Sequence, residues 1–213
     1  MKQAITSTNS PGLLIAFEGI DGTGKSSQIH LLAETLRSQG VVVVATREPT
    51  DGEYGQRIRA LYVQRDAVSR EEELALFIAD RRQHVARVII PALVAGRVVL
   101  TDRYYYSTAA YQGANGLDYK EILRQNEGFA PRPDLVLLLQ IPVAEGLRRI
   151  RMNRGERPDT FEGEEYLERV VAMYDRLADT NIVRINGLGS VDEVQKRVFA
   201  AVRPLLAGRG RGA

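Results

Sequence analysis

The sequence predicts an α/β fold in which a five-stranded parallel sheet lies between two layers of helices. Five short segments are apolar throughout instead of alternating with polar residues, which is typical of strands buried on both faces. Segments with a helical apolar pattern separate them, and strands that alternate with helices form parallel βαβ units. The length of 213 residues, 44% of them hydrophobic, fits one domain with a full hydrophobic core.

The strands and helices alternate along the chain. The predicted strands are LLIAFEG from Leu13, VVVVATREP, RVVLTD, PDLVLLLQIP and NIVRIN. The predicted helices span residues 24–39, 55–64, 70–95, 118–127, 142–153, 164–179 and 191–206. Gly40 and Gly96 end the first and the third of these helices, and Pro91 interrupts the third. Asp118 caps the fourth.

The chain is expected to form one domain with short extensions. We expect a flexible arm over residues 1–12, a single domain over residues 13–206 and a disordered tail over residues 207–213. No apolar run reaches the ~18–20 residues that span a bilayer, and the polar start predicts no secretory signal. The absence of cysteine excludes disulfides and cysteine nucleophiles. We expect a cytoplasmic protein with no membrane partner and no direct nucleic-acid binding.

A phosphate-binding motif follows the first strand. Residues 19–26 read GIDGTGKS, which matches G-x-x-x-x-G-K-[ST] between a strand and a helix. Its glycines let backbone N–H groups surround phosphate oxygens, and Lys25 reaches the β- and γ-phosphates. The fold is therefore predicted to be a three-layer P-loop NTPase fold. The residues expected to bind ATP are Gly19, Ile20, Asp21, Gly22, Thr23, Gly24, Lys25, Ser26 and Ser27.

Two further residues are candidates for a magnesium site. The Ser26 hydroxyl follows the P-loop lysine, and Asp102 ends the buried strand VVLTD. In P-loop enzymes such a hydroxyl and such a strand-end aspartate hold Mg²⁺ directly or through water. The alternative for Asp102 is a carboxylate that caps a turn. We expect Mg²⁺ to act together with ATP as the phosphoryl donor.

An arginine-rich segment predicts a lid over residues 148–160. It contains Arg148, Arg149, Arg151, Arg154 and Arg157, with Gly155 as a hinge. Phosphoryl transfer spreads negative charge over the equatorial oxygens, and an arginine there accelerates transfer by ~10³–10⁵. The alternative is a solvated basic helix end, where arginine is stabilised by the helix dipole.

A second binding site is predicted beside the phosphate cradle. Phe77 and Arg81 are four residues apart on a helix and project from one face, so they offer a stacking surface and hydrogen-bond donors. Taken alone, a core Phe with a surface Arg is the simpler alternative. Arg103, next to Asp102, is placed to clamp a phosphate. The following polar and aromatic side chains line the site: Tyr104, Ser107, Thr108, Tyr111 and Gln112.

These features favour a small-molecule kinase over other P-loop classes. A guanine-reading N-K-x-D motif is excluded because no Asn-Lys pair occurs in the chain. A kinase for a different monophosphate or for a deoxynucleoside is the first alternative. A regulatory or partition ATPase, which would hydrolyse ATP without an acceptor, is the second.

Taken together, the motifs resemble the thymidylate kinase family. The matching stretches are FEGIDGTGKSSQ, TREP, LFIADR, DRYYYSTAAYQG and RGERPDTFE, in family order. The resemblance implies ATP-dependent phosphorylation of dTMP to dTDP, a step in dTTP synthesis for DNA replication, and a homodimer. It also implies that catalytic positive charge comes from the lid, because the cradle stretch Asp-Gly-Thr-Gly contains no basic residue.

The resemblance also implies roles for individual residues. Asp21 would meet the 3′-hydroxyl of dTMP or a Mg²⁺-bound water, and Tyr111 would lie under the deoxyribose. The implied catalytic residues are Lys25, Arg103, Arg154, Arg157 and Asp21. The implied dTMP-binding residues are Asp21, Arg47, Glu48, Pro49, Phe77, Arg81, Arg103, Ser107, Thr108, Tyr111 and Gln112. The implied metal ligands are Ser26, Asp102 and Glu162. Thr108 stands where some members carry an amide side chain.

Overall fold

The computed structural model describes residues 12–62, 68–154 and 163–209. Its strands are β1 (Leu13–Glu18), β2 (Val43–Arg47), β3 (Val98–Asp102), β4 (Leu135–Gln140) and β5 (Ile182–Asn186). Its helices are α1 (Lys25–Ser38), α2 (Glu53–Leu61), α3 (Arg70–His84), α4 (Ile90–Val94), α5 (Tyr105–Ala114), α6 (Tyr119–Glu127), α7 (Val143–Arg154), α8 (Glu164–Arg176) and α9 (Val191–Arg209). None of the helices in these described ranges is both long and apolar enough to cross a membrane.

The five strands form one parallel sheet in the order β2-β3-β1-β4-β5, as the sequence predicts. This order places β1 in the centre, between β3 and β4. Phe17 of β1 and Arg47 of β2 both pair in register with Asp102 of β3. The loops that follow these three strands therefore leave the sheet at the same edge, where ligands bind in open α/β folds.

The core has one apolar cluster on each face of the sheet. On one face, Ile15, Phe17 and Leu137 pack against α1 and α9 through residues such as Leu36 and Val198. On the other face, side chains of α5 and α8 pack over the sheet. This second cluster includes Leu14, Ala16, Tyr105, Tyr106, Leu167 and Val170. Burial of the strands on both faces explains their continuous apolar sequence.

Several elements differ from the predicted ones, and α2 and α8 each end three residues before their predicted ends. The segment YYYSTAAYQG forms α5, which the sequence pattern did not reveal as a helix. The predicted break at Pro91 is preceded by a π-helical turn over Val85–Ile89, so α3 ends at His84. The last helix continues to Arg209, three residues beyond its predicted end at Leu206. The predicted arm up to residue 11 and the tail from residue 210 lie outside the described residues.

The central strand should dominate the stability of the fold. Ile15 is completely buried in β1, and Ile15→Ala is expected to lower the free energy of unfolding by about 2–5 kcal/mol through lost burial and a residual cavity. Val42→Ala is the control, because Val42 is 61% exposed and its loss should change stability by less than about 0.5 kcal/mol. Urea unfolding of both variants measures the difference, and similar losses would contradict the central role of β1.

Candidate active site

The phosphate cradle is a glycine-dependent turn between β1 and α1. Gly19, Gly22 and Gly24 have φ angles of 128°, 80° and 92°, which side chains other than glycine rarely adopt. A Cβ on Gly22 would also lie 2.4 Å from the carbonyl oxygen of Gly146 in α7. Helix α1 begins at Lys25, so its N-terminus and partial positive charge point into the turn. The cradle is thus built to hold an anion.

Lys25 is folded back across this cradle. Its Nζ donates to the carbonyl oxygens of Gly19 at 3.0 Å and Ile20 at 2.9 Å, and the residue is buried. Burial, followed by the nearby Arg103 charge, lowers the pKa of Lys25 below its ordinary value. The ammonium group therefore already lies where phosphate oxygens would enter.

Asp21 lies inside the cradle but has cationic partners. Its Oδ1 accepts a hydrogen bond from Arg103 Nη2 at 2.8 Å and lies 3.7 Å from Lys25 Nζ. The Asp21 side chain is 35% exposed, so it faces the ligand space as well as these two cations. A carboxylate in a phosphate site is explained by this double pairing.

Arg103 is the most constrained residue of the site. It has a φ of 68°, a left-handed conformation that costs a residue with a side chain ~1–3 kcal/mol. Its backbone N–H donates to Phe17 O at 2.9 Å, and its Nη1 donates to Gly19 O at 3.3 Å and Ser107 Oγ at 3.0 Å. Its guanidinium carbon lies 5.0 Å from the centre of the Tyr111 ring. These contacts fix the guanidinium beside the cradle.

An aromatic pocket of about 320 Å³ opens next to Arg103. Its size is within the range of small-molecule binding sites. It is lined by Asp21, Glu48, Pro49, Tyr62, Phe77, Arg81, Arg103, Tyr104, Ser107, Thr108, Tyr111 and Gln112. The structure therefore brings together ten of the eleven residues that the resemblance assigns to one nucleotide site.

The remaining residue of that set, Arg47, lies outside the aromatic pocket. It lines the adjoining cradle cavity, which it shares with residues of both sites. Its Nη2 donates to Asp51 Oδ1 at 2.7 Å, and its side chain is 63% exposed. The aromatic pocket and the cradle cavity share a wall that contains the Asp21–Arg103 ion pair. The shared residues are Asp21, Glu48, Pro49, Tyr62 and Arg103.

Arg81 is buried at the pocket, so the alternative of a core Phe with a surface Arg is wrong. Only 1% of the residue is exposed, and two of its nitrogens donate to Glu48 Oε2 at 2.9 and 2.6 Å. Further bonds run to Asn126 Oδ1 at 2.7 Å and Thr108 Oγ1 at 2.9 Å. Burial raises the pKa of Glu48, but Arg81 and His84 outweigh this effect and hold it below its ordinary value. Phe77 is half-buried at the pocket wall.

Gln112 presents an unsatisfied amide to the pocket. The residue is completely buried, and neither Nε2 nor Oε1 has a hydrogen-bond partner among the described residues. A buried amide without partners is costly, typically ~1–3 kcal/mol for each group. A ligand with complementary polar atoms would remove that cost, so the pocket favours a polar heterocycle over a purely apolar guest.

The candidate metal ligands fit a hard cation. Ser26 Oγ lies 2.5 Å from Asp102 Oδ2, and both residues line the cradle cavity. Hydroxyl and carboxylate oxygens are the ligands that Mg²⁺ prefers, together with water and phosphate. Glu162 lies outside the described residues. Elsewhere in the described ranges, no cluster of three or more His, Asp or Glu side chains could hold a metal.

The lid arginines divide into two groups. Arg148, Arg149 and Arg151 belong to α7; the first two pair with Glu145, and Arg151 is exposed. Arg149 also donates to Gly22 O at 3.4 Å and Gly187 O at 3.3 Å, which joins α7 to the cradle. Arg154 ends α7, but its side chain is outside the described part of the chain, as is the whole of Arg157.

The sequence analysis did not predict several residues that the structure places at the site. An outer cavity beyond the cradle is lined by Arg148, Arg149 and residues 187–191 after β5. The rule that ligands sit at strand carboxyl ends could have found this loop. His84, Asn126 and Asp80 support the aromatic pocket from behind; Asp80 accepts from the Thr50 N–H at 2.8 Å and so holds the loop after β2. Nothing in the sequence pattern distinguishes them from surface residues.

The sheet order, the glycine cradle and a second pocket that shares a wall with it define a P-loop phosphotransferase. A thymidylate kinase family model matches residues 17–198. A thymidylate kinase of Desulfotalea psychrophila is 55% identical over 199 residues, covering 93% of this chain and 98% of the relative. A probable thymidylate kinase of Pyrococcus horikoshii is 42% identical, covering 92% and 98% respectively. The thymidylate kinase of Xanthomonas euvesicatoria is 43% identical, covering 94% and 88%.

The chain belongs to the thymidylate kinase family and is a transferase.

The buried pair behind the pocket yields a stability prediction. Arg81→Met would leave the Glu48 carboxylate buried without its main partner, and is expected to cost about 3–5 kcal/mol of unfolding free energy. Arg82→Met is the control: Arg82 is the next residue and is exposed, with one contact to Phe129, and should cost less than about 1 kcal/mol. Denaturant titration measures both; equal small losses would show that the pair does not support the fold.

Proposed function

We propose that this protein transfers the γ-phosphoryl group of ATP to the 5′-phosphate of dTMP, giving ADP and dTDP for dTTP synthesis. The observation that carries the proposal is the shared wall of two spaces. The cradle cavity and the aromatic pocket share a wall that includes Asp21 and Arg103, so two phosphate groups can be held within reach of each other. Membership of the thymidylate kinase family supports the same pair of substrates.

In this proposal ATP occupies the cradle side. Residues Gly19 to Ser27 surround its phosphates through backbone N–H groups, the α1 N-terminus and Lys25. The nucleoside of ATP extends into the outer cavity, where Arg149 and the loop after β5 lie on the far side of Gly22. An arginine plane and an enclosing loop are suited to holding a flat base.

The acceptor dTMP occupies the aromatic pocket. Phe77 stacks on thymine, a contact worth ~1–3 kcal/mol. Arg81, Thr108 and the unpartnered Gln112 amide surround the polar edge of the base. Tyr111 lies under the deoxyribose, where it excludes a 2′-hydroxyl. Glu48 and Pro49 form the wall towards Arg47, and Ser107 holds the Arg103 side chain.

Magnesium is proposed to accompany ATP. Ser26 and Asp102 would hold it, with Glu162 as a further direct or water-mediated ligand. Bound there, Mg²⁺ supplies charge neutralisation at the β- and γ-phosphate oxygens. The short Ser26–Asp102 contact supports the assignment, because it places two oxygen ligands together at the cradle.

Catalysis is proposed to rest on positioning and charge, without a covalent intermediate. Lys25 holds the transferring group, and Arg103, with Arg47, aligns the acceptor phosphate for in-line attack. Asp21 contacts the 3′-hydroxyl of dTMP or water on the metal, which keeps the acceptor in register with the cradle. Arg154 and Arg157 from the lid over residues 148–160 complete the positive charge over the equatorial oxygens and help exclude water.

The protein is further proposed to be a cytoplasmic homodimer that binds neither membranes nor nucleic acid. Ile90 and Val94 of α4, which are 43% and 82% exposed, offer apolar surface near the α3 helix for a second copy. The family resemblance supports the dimer, and light scattering of the purified chain tests it directly.

The deciding experiment is a substrate panel. The purified protein is incubated with Mg-ATP and each nucleoside monophosphate, and diphosphate formation is followed by chromatography. We expect dTMP to be the preferred acceptor. The kcat/KM for dUMP should be lower by no more than the loss of one buried methyl group implies, about 0.8 kcal/mol. Diphosphate from another acceptor alone would favour the alternative kinase. ATP hydrolysis that no monophosphate stimulates would favour the ATPase.

The clamp role of Arg103 has its own test. Arg103→Ala removes charge-assisted phosphate contacts and is expected to raise the dTMP KM at least about tenfold, with a much smaller change in the ATP KM. Arg124→Ala is the control, because Arg124 is an exposed arginine of α6 that pairs only with Glu121 among the described residues, and should leave both constants unchanged. Steady-state kinetics measure both constants, and an unchanged dTMP KM would show that Arg103 does not bind the acceptor phosphate.

A further inference from the structure

A buried carboxylate lies directly beneath the cradle and has no part in the function described so far. Glu18 is the last residue of β1, immediately before Gly19, and is completely buried. A buried ionisable group is costly unless it is paired and hydrogen-bonded, so its retention at this point calls for a role. Its position links the cradle, the turn after β3 and helix α8.

The Glu18 carboxylate accepts hydrogen bonds from three different elements. Oε1 accepts from the backbone N–H of Tyr104, in the turn that follows Arg103, at 2.9 Å. Oε2 accepts from the Ser107 hydroxyl of α5 and from the Tyr174 hydroxyl of α8, the latter at 3.0 Å. Both oxygens therefore serve as acceptors, and all their partners are donors.

The Ser107 hydroxyl joins Glu18 to Arg103 and also lies 2.9 Å from the Tyr174 hydroxyl. A hydroxyl has one hydrogen, and Arg103 can only donate. Since Ser107 gives its hydrogen to Glu18, its oxygen is left to accept from Arg103 Nη1 at 3.0 Å. In this series of hydrogen bonds, Arg103 donates to Ser107 and Ser107 donates to Glu18. The same guanidinium reaches Asp21 through Nη2 at 2.8 Å.

We propose that Glu18 is a positioning residue that orients Arg103 for the acceptor phosphate through Ser107 and the Tyr104 backbone. The inference rests on the proposed function, since it assigns Arg103 to the acceptor. Glu18 acts at both ends of the strained residue: it anchors the backbone just after Arg103, and it orders the hydroxyl that holds the side chain. Neither contact involves a phosphate, so the proposed effect of Glu18 on the acceptor passes through Arg103.

The carboxylate cannot be replaced by the isosteric amide. In Glu18→Gln, an amide oxygen towards Ser107 and Tyr174 leaves the NH₂ group facing the Tyr104 N–H, donor against donor. The flipped amide satisfies Tyr104 but turns the NH₂ group towards the two hydroxyls. The Ser107 and Tyr174 hydroxyls then have only their mutual 2.9 Å contact for two hydrogens, so one hydrogen has no acceptor, and Ser107 must reorient against Arg103. Either orientation disturbs Arg103 with almost no change in volume.

The experiment compares Glu18→Gln with Tyr174→Phe. The second variant removes the Tyr174 hydroxyl and its contacts with Glu18 and Ser107, but leaves the bonds that Glu18 accepts from Ser107 and Tyr104. Calorimetric titrations measure the Kd of dTMP and of ATP for wild type and each variant. Glu18→Gln is expected to raise the Kd of dTMP about tenfold, which is the lower range for the loss of a charge-assisted hydrogen bond. The Kd of ATP should change by less than about twofold. Tyr174→Phe should change both by less than about twofold. Equal weakening of both nucleotides by Glu18→Gln would mean a merely structural role and would overturn the proposal.

A second readout does not depend on any nucleotide. Phenylglyoxal modifies accessible arginines, and peptide mass spectrometry follows Arg103 against the exposed Arg124 as an internal reference. Arg103 should react several-fold faster in Glu18→Gln than in wild type, and unchanged reactivity would overturn the proposal. If the wild-type protein does not phosphorylate dTMP but phosphorylates another monophosphate, the proposed substrate is refuted and the role of Glu18 is not. The titration is then repeated with that monophosphate. Should Glu18→Gln not fold, Glu18→Asp takes its place, because its retracted carboxylate should give the same selective loss.

Discussion

The site depends on the parallel pairing of β1 with β3, the strand that lies between β1 and β2. The register sets Phe17 opposite Asp102, so the chain leaves both strands at the same level. The cradle then begins at Gly19, and Arg103 turns back beside it with its N–H on Phe17 O. A shift of one residue in this register would turn alternate side chains to the other face and separate the phosphate cradle from the clamp arginine.

The aromatic pocket depends on buried charge in a way that the phosphate cradle does not. The cradle uses backbone N–H groups and glycine conformations, which require few particular side chains. The pocket instead rests on Arg81, held between Glu48 and Asn126 with His84 behind Glu48. Such pairs add little to stability compared with apolar packing, but they fix geometry when every polar atom is satisfied. In this protein the contacts with Glu48 and Asn126 hold the planar guanidinium of Arg81 at the edge of the aromatic pocket.

Much of this arrangement could be predicted from the sequence, because apolar strands, glycine turns and residues at strand ends follow simple rules. The parallel sheet, the cradle and the set of residues around Phe77 and Arg103 were predicted in this way. Helix α5 was not, because its tyrosines and Thr108 have modest helix propensity and most of its side chains are buried, which removes the amphipathic pattern. The burial of Arg81 and the roles of Asn126 and Glu18 depend on tertiary contacts between distant segments. No local pattern encodes such contacts.

The pairing of Arg103 with Asp21 also has a consequence for competition by solution anions. An arginine without a carboxylate partner would attract chloride or inorganic phosphate, and a substrate would have to displace them. Here the guanidinium already has an anionic neighbour at 2.8 Å, so a stray anion gains little by approaching it. In the proposed complex, an acceptor phosphate would exchange one anionic partner for another while its base fills the aromatic pocket. Selectivity at this edge of the sheet would then come from the whole nucleotide rather than from its charge, and acceptor binding would be buffered against changes in ionic strength.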